Sequence, residues 1–201
     1  INETFDPSVN WTGAAYVFQR SGNTWSFKSY LKASNPGLND WFGRVLTISP
    51  DGSTIAVGSY GENLTGTEIL TAGNWPTSTS VEANNTGAVY VYRKNSSSGD
   101  WEEDSYIKAP ESHLKLQFSR VALTTDGSRL IVAGDREGSV ISGVGRDIPD
   151  EDEIIAASGN TNQKVGATYV FDYSNSSGWS FSKFLKHPSA ASADLCGDTL
   201  R

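Results

Sequence analysis

One block of sequence recurs three times along the chain, and no other feature limits its fold as strongly. GAAYVFQRSGNTWSFKSYLKAS begins at Gly13, GAVYVYRKNSSSGDWEEDSYIKAP at Gly87 and GATYVFDYSNSSGWSFSKFLKHP at Gly166, a spacing of 74 and then 79 residues. Within each block, Trp25, Trp101 or Trp179 is followed five residues later by Tyr30, Tyr106 or Phe184. Leu31, Ile107 or Leu185 comes next, then Lys32, Lys108 or Lys186. A second block accompanies the first: FGRVLTISPDGSTIAVG from Phe42, FSRVALTTDGSRLIVAG from Phe118, and CGDTLR from Cys196. Matched aromatic positions at a fixed period mean a repeat architecture.

The local signals are those of strands and turns. Residues 13–19 are rich in Tyr, Val and Phe, which suit a pleated surface. Ser21-Gly22-Asn23 reads as a hairpin turn and Pro50-Asp51-Gly52 as a tight turn, each ahead of a returning strand. Ten strands and no capped helix are predicted. Two long loops interrupt them, over residues 60–86 and 135–165, and repeat equivalence places both on one face. Apolar residues fall on both faces of GAVYVY and IAVGS, as expected of sheets packed face to face. Repeated four-stranded antiparallel sheets arranged radially make a β-propeller. The expected fold is therefore all-β, with propeller blades of four antiparallel strands. Residues 1–201 form a partial propeller of about two and a half blades, with repeat units at about 13–86, 87–165 and 166–201, the last truncated. Since a closed ring takes typically 4–8 blades, the chain is expected to be a piece of a longer protein or to be completed by other copies.

Composition removes some functions. The net charge of −7 and pI of about 4.8 provide no basic stripe for nucleic acid. No apolar run approaches the roughly 18 residues of a membrane span. The start at Ile1, with neither Met nor a signal pattern, reads as a processed end or an internal cut. Cys196, the lone cysteine, stands where the repeat has Phe42, which favours a small buried hydrophobe over a reactive thiol. Acceptor sequences for N-linked glycans occur at Asn2, Asn10, Asn63, Asn84, Asn95 and Asn175. All six fall in predicted loops or turns, so an extracellular or cell-surface glycoprotein is expected. The competing reading is that Asn and Ser are simply turn residues.

Taken together, Phe42-Gly43, Ser49-Pro50-Asp51-Gly52, Ala56-Val57-Gly58, residues 87–92 and residues 101–109 resemble the FG-GAP repeat, the blade of integrin-alpha-like β-propellers. The resemblance covers nearly the whole chain apart from the two long loops. The second block departs from the pattern: Phe118-Ser119 replaces Phe-Gly, and the segment to Asp126-Gly127 is one residue shorter. The resemblance implies an extracellular binding or scaffolding module for cell adhesion, with a protein or glycan ligand at the long-loop face. It also implies calcium at the turn between the first two strands. Asp51 and Asp126 stand almost alone there, too few oxygens for a cage of 6–8 ligands.

Asp147, Asp150 and Asp152, interleaved with Glu151 and Glu153, are candidate calcium ligands or a contact for a basic partner; the alternative is a solvated loop. Tyr60 and Trp75 are candidate partner-binding aromatics, against the commoner use of such a Trp to plug its own loop. His113 and His187 make no metal site by themselves. No GxSxG elbow is present, and Gly143-Val144-Gly145 lacks the rest of a nucleotide loop. The expectation is a secreted, N-glycosylated, non-catalytic propeller module with a structural, adhesive or ligand-binding role. The alternatives are a subunit of an extracellular assembly or filament completed by neighbouring copies through self-association, and the propeller part of a polysaccharide-acting enzyme.

Overall fold

The computed structural model describes residues 11–76, 85–111, 115–136, 143–146 (backbone alone) and 166–186. Twelve strands and no helix occur among them: β1 (Ala15–Ser21), β2 (Thr24–Leu31), β3 (Phe42–Ile48), β4 (Thr54–Ser59), β5 (Ile69–Thr71), β6 (Ala88–Lys94), β7 (Trp101–Ile107), β8 (Phe118–Leu123), β9 (Arg129–Gly134), β10 (Gly143–Arg146), β11 (Ala167–Ser174) and β12 (Gly178–Lys186). They form three antiparallel sheets, β1-β2, β3-β4-β6-β7-β5 and β8-β9-β11-β12-β10. The all-β, antiparallel expectation holds. No closed ring of sheets is present among the described residues.

The hydrogen-bonded sheet is offset from the sequence repeat. Each large sheet takes its first hairpin from one repeat and its second from the next, joined across a long loop. Ala56 sits opposite Val91, and Ile131 opposite Val170. The units at 13–86 and 87–165 are thereby each tied into two sheets.

A bulge recurs at one place in all three units. The register slips after Val17, Val91 and Val170, leaving Lys28, Asp104 and Ser182 as extra residues on the returning strand. This explains the five-residue Trp-to-aromatic spacing. In a regular strand such residues would face opposite sides, because side chains alternate. One inserted residue restores the phase, so Trp179 and Phe184 lie in one core cluster, and Trp101 packs against the cluster that holds Tyr106. The one-residue shortening of the second block is absorbed in another bulge. Gly43 and Arg44 are skipped between Phe42 and Val45, but only Ser119 between Phe118 and Arg120. The aspartate turns therefore keep the same length.

Ten strands were expected, and the correction lies in the long loops. Each contributes a short strand that returns to the outer edge of its own sheet, β5 onto β7 and β10 onto β12. An outer strand presents unpaired N–H and C=O groups, and these segments satisfy part of them. Three or four residues are too few for a periodic signal.

Two apolar layers hold the sheets face to face. The first contains Ala15 and Leu31 from the small sheet with Phe42, Val57, Tyr90, Tyr92 and Tyr106 from the second. The other joins Val89, Val91 and Ile107 on the opposite face of the second sheet to Phe118, Tyr169, Phe171 and Phe184 of the third. All six residues of β4 are buried. The ring pairs Tyr90–Tyr106, Phe42–Tyr90, Phe118–Tyr169 and Tyr169–Phe184 meet edge-on or tilted at 5.2 to 5.3 Å, within the favoured range for aromatic pairs.

Candidate functional site

The densest polar chemistry lies where one sheet is strapped to the next. At each strap two short stretches of backbone run side by side. Trp41 and Phe42 donate N–H groups to the carbonyls of Trp11 and Thr12 at 2.9 and 3.1 Å. One repeat later, Gln117 and Phe118 donate to Asn85 and Thr86 at 3.1 and 3.0 Å. The matching residues share a left-handed backbone: φ is 62° at Trp11 and 45° at Asn85, and 57° at Trp41 and 59° at Gln117. Non-glycine residues rarely adopt this conformation; here two hydrogen-bonded neighbours impose it twice.

The repeated lysine closes each strap. Lys108 is 2% exposed and donates to the Thr86 hydroxyl at 2.8 Å, the Gly87 carbonyl at 2.6 Å and the Glu62 carboxylate at 2.6 Å. Lys32 donates to the corresponding Thr12 hydroxyl and Gly13 carbonyl. Glu62 also accepts the Leu64 N–H at 3.0 Å and faces Asn35, whose Oδ1 accepts the Tyr90 hydroxyl at 2.6 Å. In the next sheet Tyr169 takes the place of Tyr90 and donates to Glu111. Burial draws the Lys108 ammonium down from its ordinary pKa, and the Glu62 carboxylate opposes this.

Asp40 adjoins this cluster and is buried. Burial pushes its carboxyl up to about 6 from 3.8, with the Gly37 N–H acting against the rise. Between about pH 4 and 6 the folded chain keeps a proton that the unfolded chain releases. This group therefore favours the fold at low pH, and its contribution is lost as pH rises through 6. Denaturant titrations at pH 5 and pH 7 are expected to give Asp40→Asn a smaller difference between the two pH values than the unsubstituted chain. An unchanged difference would exclude Asp40 as its source.

The aspartate turns use their carboxylates internally. Asp51 accepts from the Ser49 and Ser53 hydroxyls and the Ser53 N–H, and Asp126 from Thr124 and Ser128 in the same way. These hydrogen bonds, led by the Ser128 N–H, hold Asp126 down at about 2. Among the described residues, no group of three or more His, Cys, Asp or Glu side chains is placed to hold a metal ion.

The expected site residues have several fates. Tyr60 is half-buried; its hydroxyl accepts from the Gln117 amide, and the Arg44 guanidinium lies 4.7 Å from its ring centre. It thus ties the second sheet to the strap of the third. Trp75 is half-buried against the first apolar layer, plugging its loop. Asn63 is buried, with its Oδ1 accepting the Asn85 N–H at 2.8 Å. Asn95 caps its own turn, accepting from Ser97 and Ser98 and donating to Glu102. Asn175 is exposed in the turn between β11 and β12. Asn2, Asn10, Asn84, Asp147, Asp150, Asp152, His113, His187 and Cys196 lie outside the described residues. Sequence reasoning missed the strap lysine as a buried group, although its recurrence directly after a core Leu or Ile was the available signal. No protein-family model matches the chain. No curated protein matches it.

Proposed function

We propose that residues 1–201 are consecutive blades of a β-propeller of the FG-GAP, integrin-alpha-like kind, serving as a non-catalytic structural, adhesive or ligand-binding module of an extracellular glycoprotein. The observation that carries this reading is the offset between repeat and sheet, with neighbouring sheets stacked face to face through the same glycine–lysine strap. That arrangement can be extended by adding units, and it uses the repeated polar residues for construction. Rigid stacked sheets would leave the long loops and hairpin turns as the variable surface for a protein or glycan ligand. Calcium remains a proposal tied to the Asp147–Asp152 segment alone, because the carboxylates of Asp51 and Asp126 are engaged by their own turns.

Glycan attachment tests the extracellular part. After secretion from eukaryotic cells, enzymatic release of N-glycans is expected to lower the mass and convert the exposed Asn175 to Asp. Asn63 is expected to stay unmodified, since its side chain is buried and engaged. No change of mass on release would remove the main support for secretion. Modification of Asn63 would contradict its packing.

A further inference from the structure

We infer that the small sheet is the seat of one further unit of the same repeat, placed ahead of Gly13. The distribution of uncovered apolar side chains motivates this. Every large hydrophobic residue that is exposed among the described residues falls between Trp11 and Ile48. Tyr16, Phe18 and Trp25 are 62%, 53% and 65% exposed on one face of the β1–β2 hairpin, and Leu46 and Ile48 are about half exposed on β3. Their counterparts one repeat later are covered: Tyr90 and Tyr92 for the first two, and Val121 for Leu46. The chemistry of the patch is thus the chemistry of an interior.

The two covered copies define the occupant. In the second sheet the edge of β6 is taken by β4, with Ala88 to Arg93 opposite Ser59 to Thr54. In the third, β11 is paired with β9 in the same way. Among the described residues β1 pairs with β2 alone. A β4-like strand would run antiparallel to β1, with its Val57 counterpart opposite Tyr16 and its Ile55 counterpart opposite Phe18. Its hairpin partner would cover Leu46 and Ile48, as β3 and β4 cover β8. The Tyr16, Phe18 and Trp25 face calls for a β6–β7-like hairpin, because Ala15, Val17 and Leu31 of β1 and β2 cover Tyr90 and Tyr92. These two hairpins are consecutive in sequence. They make up one repeat unit, the counterpart of residues 87–134.

The register also sets a composition. A Cβ at Gly58 would overlap the Ser119 carbonyl of the next sheet. The added strand therefore needs Gly at the corresponding place. A second copy of the chain stacked on the hairpin would cover the tyrosine face, but would leave the β1 edge and Leu46 open.

The inference rests on the repeat geometry and is independent of the secretion reading. It is tested by extending the chain with a copy of residues 13–86 joined directly ahead of Gly13, in place of residues 1–12. Hydrogen exchange of the β1 amides that point away from β2 is expected to slow at least tenfold in the extended chain, and Trp25 fluorescence to shift to the blue. A Gly→Val change at the copied position 58 is expected to abolish both effects. Unchanged β1 exchange, with β6 and β11 amides still protected, would overturn the inference. Where the extension does not fold, the copied unit is supplied as a separate chain in excess, with the same expected protection and the same contrary result. A discrete dimer of residues 1–201 that already protects β1 and buries Trp25 would also overturn it, in favour of a second copy.

Discussion

Replacing Lys108 by alanine is expected to lower the stability of the fold by roughly 3–5 kcal/mol, the cost of leaving a buried charge without its partner. Glu62 would keep its carboxylate in a site where both side chains are 2% exposed, having lost the ammonium 2.6 Å away. The Thr86 hydroxyl and the Gly87 carbonyl would lose a donor at the same time. Glu62→Ala is expected to cost a similar amount by stranding the ammonium. Replacing both with apolar residues of similar volume, Lys108→Met with Glu62→Leu, is expected to cost far less than either alone, because no charge then stays buried. Denaturant unfolding of the three variants makes the comparison. Equal losses for the double and single variants would mean that a stranded buried charge is not what makes the single changes costly.

The second large effect is at Gly87. Its φ is 81°, and a Cβ there would overlap the backbone N and O of Phe118. Gly87→Ala therefore combines left-handed strain of about 1–2 kcal/mol with a collision against backbone that is itself hydrogen-bonded at the strap. Gly99 isolates the first term: its φ is 78°, and nothing lies within 4 Å of an added Cβ. Gly99→Ala is expected to cost only the strain, and Gly87→Ala clearly more, with faster amide exchange at Phe118. Equal costs would show that the close approach of the two sheets is not what the repeat glycine serves.

These two residues also mark how far the sequence could be read. The glycine, the lysine and the five-residue aromatic spacing were all visible as repeats. Their shared cause was not, because the bulge at Val17, Val91 and Val170 and the strap between sheets arise only on pairing. Strands with several β-branched or aromatic residues, such as Val89 to Tyr92, were legible from composition. β5 was not, since three residues gain strand geometry only from the edge of β7. Sequence similarity grouped hairpins by repeat, whereas hydrogen bonding groups them across the long loop. Nothing local distinguishes the two groupings, because each hairpin is internally the same in both. Among the acceptor asparagines, Asn63 and Asn175 look alike in sequence and differ only in burial, which the Asn85 backbone decides for Asn63.

The pairing across the long loops is the feature on which the stacked-blade account depends, and interstrand nuclear Overhauser effects test it most directly. The account predicts close backbone-proton contacts between Val57 and Tyr90 and between Val132 and Tyr169. If β4 and β9 instead showed no contacts to β6 and β11 while the short hairpins persisted, the hairpins would be separate units, and the account would be contradicted.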